Sequence, residues 1–380
     1  GDAPPASAEV DILFVVDDST RMAGGQRDIA LAADRLVEGL LAEQPELSYR
    51  IAITTTLADA PWCDAAVDAS PGHLELSSCR ARADAFVSDA LALDVSDVAC
   101  SDLCDVDTLT IEPTTIADDD EARPRPWIEG SASASNLGDT SLADALRCAI
   151  PQGISGCAFT QPLEAMRQAI DRTSSPEADE HGFFRTGAHL VVIVAAAGHE
   201  CSIADERFLL PTSEGGSTAY WPIPEASGPT SGACWNASVE CTGGDGSAFG
   251  DCRPIDRALD GGEAATAADA VVTPISAYAE VLAGLAATKQ SASVSLFAIA
   301  GVPADYPEAA IPFVTASDSD LGLAISPVCA DELTTALPPV RLRELVETVG
   351  NEDQVFSICA GDQTATFDGI AAHVADAIAH

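Results

Sequence analysis

A chain of 380 residues with 60 acidic against 18 basic side chains carries a formal charge of -42. Such a field repels phosphate backbones and anionic lipid, which disfavours nucleic acid and membrane surfaces as partners. At 47% hydrophobic residues the chain can bury a sizeable core, yet no apolar run nears the ~18 residues of a membrane span, so a soluble globular protein is expected.

Residues 1–9 read as a flexible tail, of the kind that follows a lipoprotein cysteine or precedes a docked first strand, so an N-terminal lipid anchor stays open. Asp11 to Val16 is a continuous apolar run that ends abruptly in Asp17-Asp18-Ser19-Thr20-Arg21-Met22. That pattern predicts a buried parallel strand delivering a carboxylate and a hydroxyl to the C-terminal edge of a sheet, where open α/β sheets bind ligands. A helix is expected from Gln26 to Leu41 and a second strand from Tyr49 to Thr56. Residues 57–140 turn polar, acidic and Cys-bearing, which predicts an insertion with one helix at Arg82 to Leu93. Helical spacing resumes at Ser141 to Ala149 and Gln161 to Ile170, and His189 to Ala195 is a third buried strand. Residues 202–262, rich in Gly, Ser, Pro and aromatic residues, predict a second, loop-rich insertion. Beyond it come a helix (Ile275 to Ala287), a strand (Val294 to Ile299), a helix (Val340 to Val349), a short strand (Val355 to Ile358) and a last helix (Thr366 to Ala379). Helices alternating with apolar strands predict an α/β fold with a doubly wound, mostly parallel sheet flanked by helices, one domain over 10–380 with two long disulfide-bearing insertions.

Cysteines stand at positions 63, 79, 100, 104, 148, 157, 201, 234, 241, 252, 329 and 359. Twelve is more than a cytosolic chain of this size carries, and without a Cys-x-x-Cys the zinc reading is weak. Disulfides are therefore expected for Cys63, Cys79, Cys100, Cys104, Cys148, Cys157, Cys201, Cys234, Cys241, Cys252, Cys329 and Cys359, in an extracytoplasmic compartment: secreted, cell surface or periplasmic. Local spacing suggests Cys63 with Cys79, Cys100 with Cys104, Cys148 with Cys157 and Cys329 with Cys359, leaving Cys201, Cys234, Cys241 and Cys252 to pair among themselves.

The Asp17-Asp18-Ser19-Thr20-Arg21 stretch resembles the first metal-site motif, Asp-x-Ser-x-Ser, of von Willebrand factor type A domains, with Arg21 in place of the second Ser. Gly156-Cys157-Ala158-Phe159-Thr160 resembles the family's second loop, which makes Thr160 its metal-site Thr, and Ala197 stands where the family has an Asp. Cys201-Ser202, Arg341-Leu342 and Ser357-Ile358-Cys359 bring the resemblance closest to a Cys-rich bacterial branch, over about Val10 to His380. It implies a metal-ion-dependent adhesion site, here degenerate, with Asp17, Ser19 and Thr160 as the oxygen donors for Mg²⁺, Mn²⁺ or Ca²⁺. A hard cation needs more oxygens and a second carboxylate. Either the Arg21 guanidinium pairs with Asp17 and replaces the cation, or Asp18, His199 or Glu200 completes the site.

No nucleophile elbow, phosphate loop or dinucleotide fingerprint occurs, and His199-Glu200 lacks the second His of a zinc-protease helix, so no enzyme and no cofactor are expected. The expected function is an extracytoplasmic protein-binding or self-assembling module, metal-independent, whose insertions supply the contact surface. The competing expectation is metal-dependent adhesion to a partner carboxylate. Trp62, Trp127, Trp221 and Trp235 fall in or beside the insertions, either as contact anchors or as local cores.

Overall fold

Strands β1 (Glu9–Val16), β2 (Ser48–Thr55), β3 (Ile128–Ser131), β4 (His189–Ala196), β5 (Val294–Ala300) and β6 (Val355–Ser357) form one sheet in the order β6-β5-β4-β1-β2-β3. All neighbours are parallel except β3, which runs antiparallel along the first half of β2. The computed structural model describes residues 8–58, 60–63, 71–289, 293–316, 321–350 and 352–379. Residues 1–7 of the expected tail and His380 lie outside these, and Glu9 already belongs to β1.

Central parallel strands are covered on both faces, which is why they read as unbroken apolar runs. In β1 the side chains alternate: Ile12, Phe14 and Val16 enter one hydrophobic cluster, Leu13 and Val15 the other. The first cluster is closed by helices α1 (Ala23–Ala32), α2 (Asp34–Glu43), α3 (Leu142–Ala149) and, from the C-terminus, Phe367 and Ile370 of Thr364–Ala379. The second is closed by α4 (Pro162–Ser174) and by Ile275–Thr288 and Val340–Val349, through Leu163, Tyr278 and Leu345. The expected helix from Gln26 to Leu41 is two segments that meet at Ala33, which keeps helical angles.

One charge interrupts the β1 run. Asp11 is fully buried, and its carboxylate accepts from the Arg185 backbone N–H at 2.6 Å and from Arg185 Nε at 2.8 Å. The same guanidinium reaches Glu9, Ser48 Oγ and the Val10 carbonyl, so one side chain ties β1, β2 and the approach to β4 at the N-terminal edge. Burial raises the Asp11 carboxyl above its usual range and Arg185 works against that shift.

Three long excursions leave the opposite edge: residues 56–127 after β2, 197–274 after β4 and 301–339 after β5. The reading of 57–140 as insertion alone needs correcting, because Trp127 and Ile128 are fully buried and β3 completes the sheet. The expected helix at Arg82 to Leu93 is instead a run of 3-10 turns, Cys79–Phe86, followed by a short antiparallel pair, Val87–Ser88 with Leu93–Asp94. Non-helical angles at Arg82 break it, and the Arg82 guanidinium binds the Pro151 and Gln152 carbonyls. The third excursion, holding antiparallel pieces such as Cys329–Ala330 with Thr335–Ala336, has no counterpart in the sequence reading.

All twelve cysteines are bridged: Cys63–Cys157, Cys79–Cys100, Cys104–Cys148, Cys201–Cys234, Cys241–Cys252 and Cys329–Cys359. Three local pairings are corrected. Cys63 does not reach Cys79, Cys100 does not close on Cys104 and Cys148 does not close on Cys157. Cys100 and Cys104 sit one turn apart, with the Cys104 N–H on the Cys100 carbonyl, and each turns to a different element. Six disulfides fit an oxidising, extracellular setting, and among the described residues no helix is long and apolar enough to cross a membrane.

The first excursion is also held to α4's end by charge. His73 Nδ1 lies 2.5 Å from Glu180, which is fully buried and also bound by Arg172 at 3.1 Å. The hydrogen bond to Glu180 raises His73, while His73 and Arg172 hold Glu180 down to about 2 against its burial. The pair is therefore complete from above the unfolded Glu value of ~4.3 to the unfolded His value of ~6.5. Its contribution is lost as pH rises through the raised His73 value, and again as pH falls toward 2.

Two outcomes are expected in urea unfolding. Arg185→Met strands a buried carboxylate and costs roughly 3–5 kcal/mol, of which Asp11→Asn in the same chain recovers part. His73→Gln costs about 0.5–1 kcal/mol at pH 5.5 and less at pH 9, because its imidazole is partly exposed and uncharged there; an equal cost at both pH values would show that the pair contributes nothing through charge.

Candidate functional site

The sheet order runs outward in both directions from the β1/β4 boundary, and in open α/β sheets the crevice at such a reversal, at the C-terminal edge, is where ligands sit. Asp17 follows β1 there, fully buried. Its Oδ1 accepts from the Ser19 N–H at 2.8 Å, and its Oδ2 from the N–H groups of Ala197 and Gly198 at 3.0 and 3.1 Å. The carboxylate thus bonds the end of β1 to the turn after β4. Gly198 is required at this approach, since a Cβ would lie 2.7 Å from Thr160 Oγ1.

The structure brings all three predicted donors to this corner and buries them, Asp17 and Ser19 at 0% exposure and Thr160 at 1%. Thr160 Oγ1 donates to the His199 carbonyl at 2.8 Å. Ser19 Oγ has no hydrogen-bond partner among the described residues. Ala197 contributes its backbone N–H and no carboxylate.

Arg21 does not pair with Asp17. Its guanidinium donates to Ser231 Oγ at 3.0 Å, and among the described residues no ion pair links it to Asp17, whose carboxylate accepts from backbone instead. Burial lowers the Arg21 value and the nearby Asp17 charge raises it. Asp18 turns away, accepting from Thr56 Oγ1 at 3.3 Å, and burial together with the Asp17 charge pushes it up to about 7. His199 packs on Trp235 with its Nε2 on the Leu323 carbonyl at 2.9 Å, and burial takes it down to about 4. Glu200 is held by Arg341 at 2.7 Å and by the Ser202 N–H. None of the three completes a coordination shell, and no group of three His, Cys, Asp or Glu able to hold a metal occurs among the described residues.

A divalent cation therefore meets one carboxylate that already accepts from three backbone donors, two buried hydroxyls and a neighbouring guanidinium. That donor set does not fit a hard ion, which needs free carboxylate oxygen and about six ligands.

No protein-family model, curated protein or solved structure matches this chain.

Two further contacts that the sequence reading did not foresee organise the edge. Gln26, 1% exposed, donates to the carbonyls of Asp17 and Gly153 and accepts from the N–H groups of Gln152 and Gly153. Its signal was a polar residue on the buried side of a first helical turn. Glu200 with Arg341, both 3% exposed or less at the side chain, joins the turn after β4 to the start of Val340–Val349. The sequence motif contained Arg341 but gave no hint of its partner.

The excursions meet over this corner. Cys63–Cys157 fastens the first to the loop before α4, and Trp62 Nε1 donates to the Leu209 carbonyl of the second at 2.8 Å. Thr230 Oγ1 donates to the Gly322 carbonyl, joining second and third, and the Leu337 N–H returns to the Ala197 carbonyl at 2.9 Å. Trp127 and Trp235 are buried in the second cluster of the sheet itself and Trp221 in a local core of the second excursion, while Trp62 is 53% exposed.

Asp17→Ala leaves three inward N–H groups without an acceptor and is expected to cost about 4 kcal/mol, with Asp17→Asn costing less. Thermal unfolding checks this; a cost under about 1 kcal/mol for the alanine variant would show that the N–H groups find other partners.

Proposed function

We propose that this chain is an extracytoplasmic, non-enzymatic protein-binding or assembly module, built on a doubly wound scaffold of the von Willebrand type A kind and working without a metal. The strand order with its antiparallel edge strand, Asp17 at the end of β1 and Thr160 ahead of α4 support the scaffold. The compartment is supported by the six bridges.

The observation that carries the reading is burial. Asp17, Ser19 and Thr160 are at most 1% exposed beneath joined excursions, so a partner carboxylate has no path to them and contact falls to the outer face of the cap. Loops braced by disulfides on a rigid sheet suit such contacts. His199 and Glu200 are both engaged in buried contacts, which speaks against a hydrolytic role. One feature favours the second reading, metal-dependent adhesion: the partnerless Ser19 Oγ.

Calorimetric titration of the chelator-stripped protein with Mg²⁺, Mn²⁺ and Ca²⁺ is expected to give no stoichiometric heat at the edge. Stoichiometric binding abolished by Asp17→Ala would restore the adhesion reading. Sedimentation at about 20 and 500 mM NaCl, with and without chelator, reads assembly. Self-association is expected to rise with salt, because copies of charge -42 must be screened before they pack, and to ignore the chelator.

A further inference from the structure

A cavity of about 210 Å³ opens beside the buried corner, between the end of β2 and the first excursion. An engineered cavity of ~150 Å³ is enough to hold benzene, so this one takes a ligand of a few heavy atoms. Its floor includes Asp18 and Thr54, which are 8% and 1% exposed, and its wall includes Leu57 and Ala85. Glu75 and Asp84 stand further out on the same cavity.

The polar balance of the cavity is uneven. Asp18 makes one side-chain hydrogen bond, from Thr56 to Oδ1, and no ion pair among the described residues. Gly156 leaves room for that carboxylate, since a Cβ there would lie 2.3 Å from it. The cation of the lining, Arg82, directs Nη1 and Nη2 at the backbone carbonyls of Gln152, Pro151 and Ser77 and its Nε at Ser77 Oγ. His73 is turned to Glu180, outside the cavity. A buried carboxylate thus faces a small, partly apolar space with its nearest guanidinium bound elsewhere. Arg82 therefore acts on the Asp18 charge only through space, and a cation that brings its own N–H donors to the carboxylate compensates it directly.

We propose that this cavity binds a primary alkylammonium group, free or at the end of a lysine side chain, with the ammonium on Asp18 and the methylene stem along Leu57 and Ala85. A point charge with three donors on an apolar stem matches a deep carboxylate behind an aliphatic wall. The source cannot be a second copy's lysine. The chain has a single lysine, Lys289, which is 8% exposed with its Nζ on the Arg185 carbonyl at 2.7 Å. A charge of -42 steers a basic protein toward this face and a second copy away from it. The lysine source rests on the protein-binding reading above; the ammonium site itself does not.

The test is amide NMR of the whole chain in about 20 mM salt, titrated with n-butylammonium and with capped Ala-Lys-Ala and its Nε-acetyl-lysine counterpart. Saturable shifts at Thr54, Thr55 and Ala85 are expected with both cations and none with the acetylated peptide. Asp18→Asn is expected to weaken both cations at least about tenfold, and Glu75→Gln roughly threefold. Equal binding by wild type and Asp18→Asn, equal binding of the acetylated peptide, or no saturable shift with either cation overturns the site. Butylammonium binding without the lysine peptide overturns the lysine source and assigns the cavity to a free amine. Metal binding at Asp17 in the calorimetry would overturn the proposed function and leave this titration unchanged.

Discussion

A carboxylate that water does not reach has to find its donors inside the protein, and Asp17 finds three backbone N–H groups contributed by the two strand ends it lies between. Everything at the C-terminal edge follows from that. With β1 and the turn after β4 locked together, Gln26 can bridge the Asp17 and Gly153 carbonyls and Thr160 can reach the His199 carbonyl. The backbone amides satisfy the carboxylate with three hydrogen bonds. The Arg21 guanidinium donates to Ser231 in the second excursion.

The two ends of β1 use the same device for different purposes. At the N-terminal edge a guanidinium satisfies Asp11 and gathers β1, β2 and the approach to β4. At the other end amides satisfy Asp17, and the cap built from three excursions closes over it. Disulfides and single hydrogen bonds such as Trp62 to Leu209 tie that cap to the sheet. Beside the buried corner a cavity lined by Asp18 stays open.

Much of the scaffold was legible because fully buried parallel strands leave little choice of residue. The runs ending at Val16, Thr55, Ala196 and Ala300 are apolar or β-branched nearly throughout, and each was placed within about two residues. β3 was missed because Ile128–Ser131 is a short edge strand inside an acidic, polar stretch, with its apolar anchor Trp127 just outside it. The helix expected at Arg82 failed because the spacing of its alanines says nothing about a disulfide at Cys79 or about carbonyls waiting for the guanidinium. Cysteine pairing failed in the first excursion for a related reason. Short loops close easily, but Cys63 meets Cys157 across 94 positions because the fold has already brought them together.

The sequence by itself determined the α/β class, the acidic charge, a cysteine content that fits an oxidising setting and the identity of the polar groups at the end of β1, since composition and hydrophobic period are local properties that one chain displays in full. Only the tertiary structure decided what those groups do. Whether Asp17 meets a cation, a guanidinium or three amides depends on which backbone lies within 3.1 Å of it, and two of the three amides come from residues some 180 positions away. Partnerships of that kind, like those of Glu200 with Arg341 and Cys63 with Cys157, exist only once the strands have been ordered side by side.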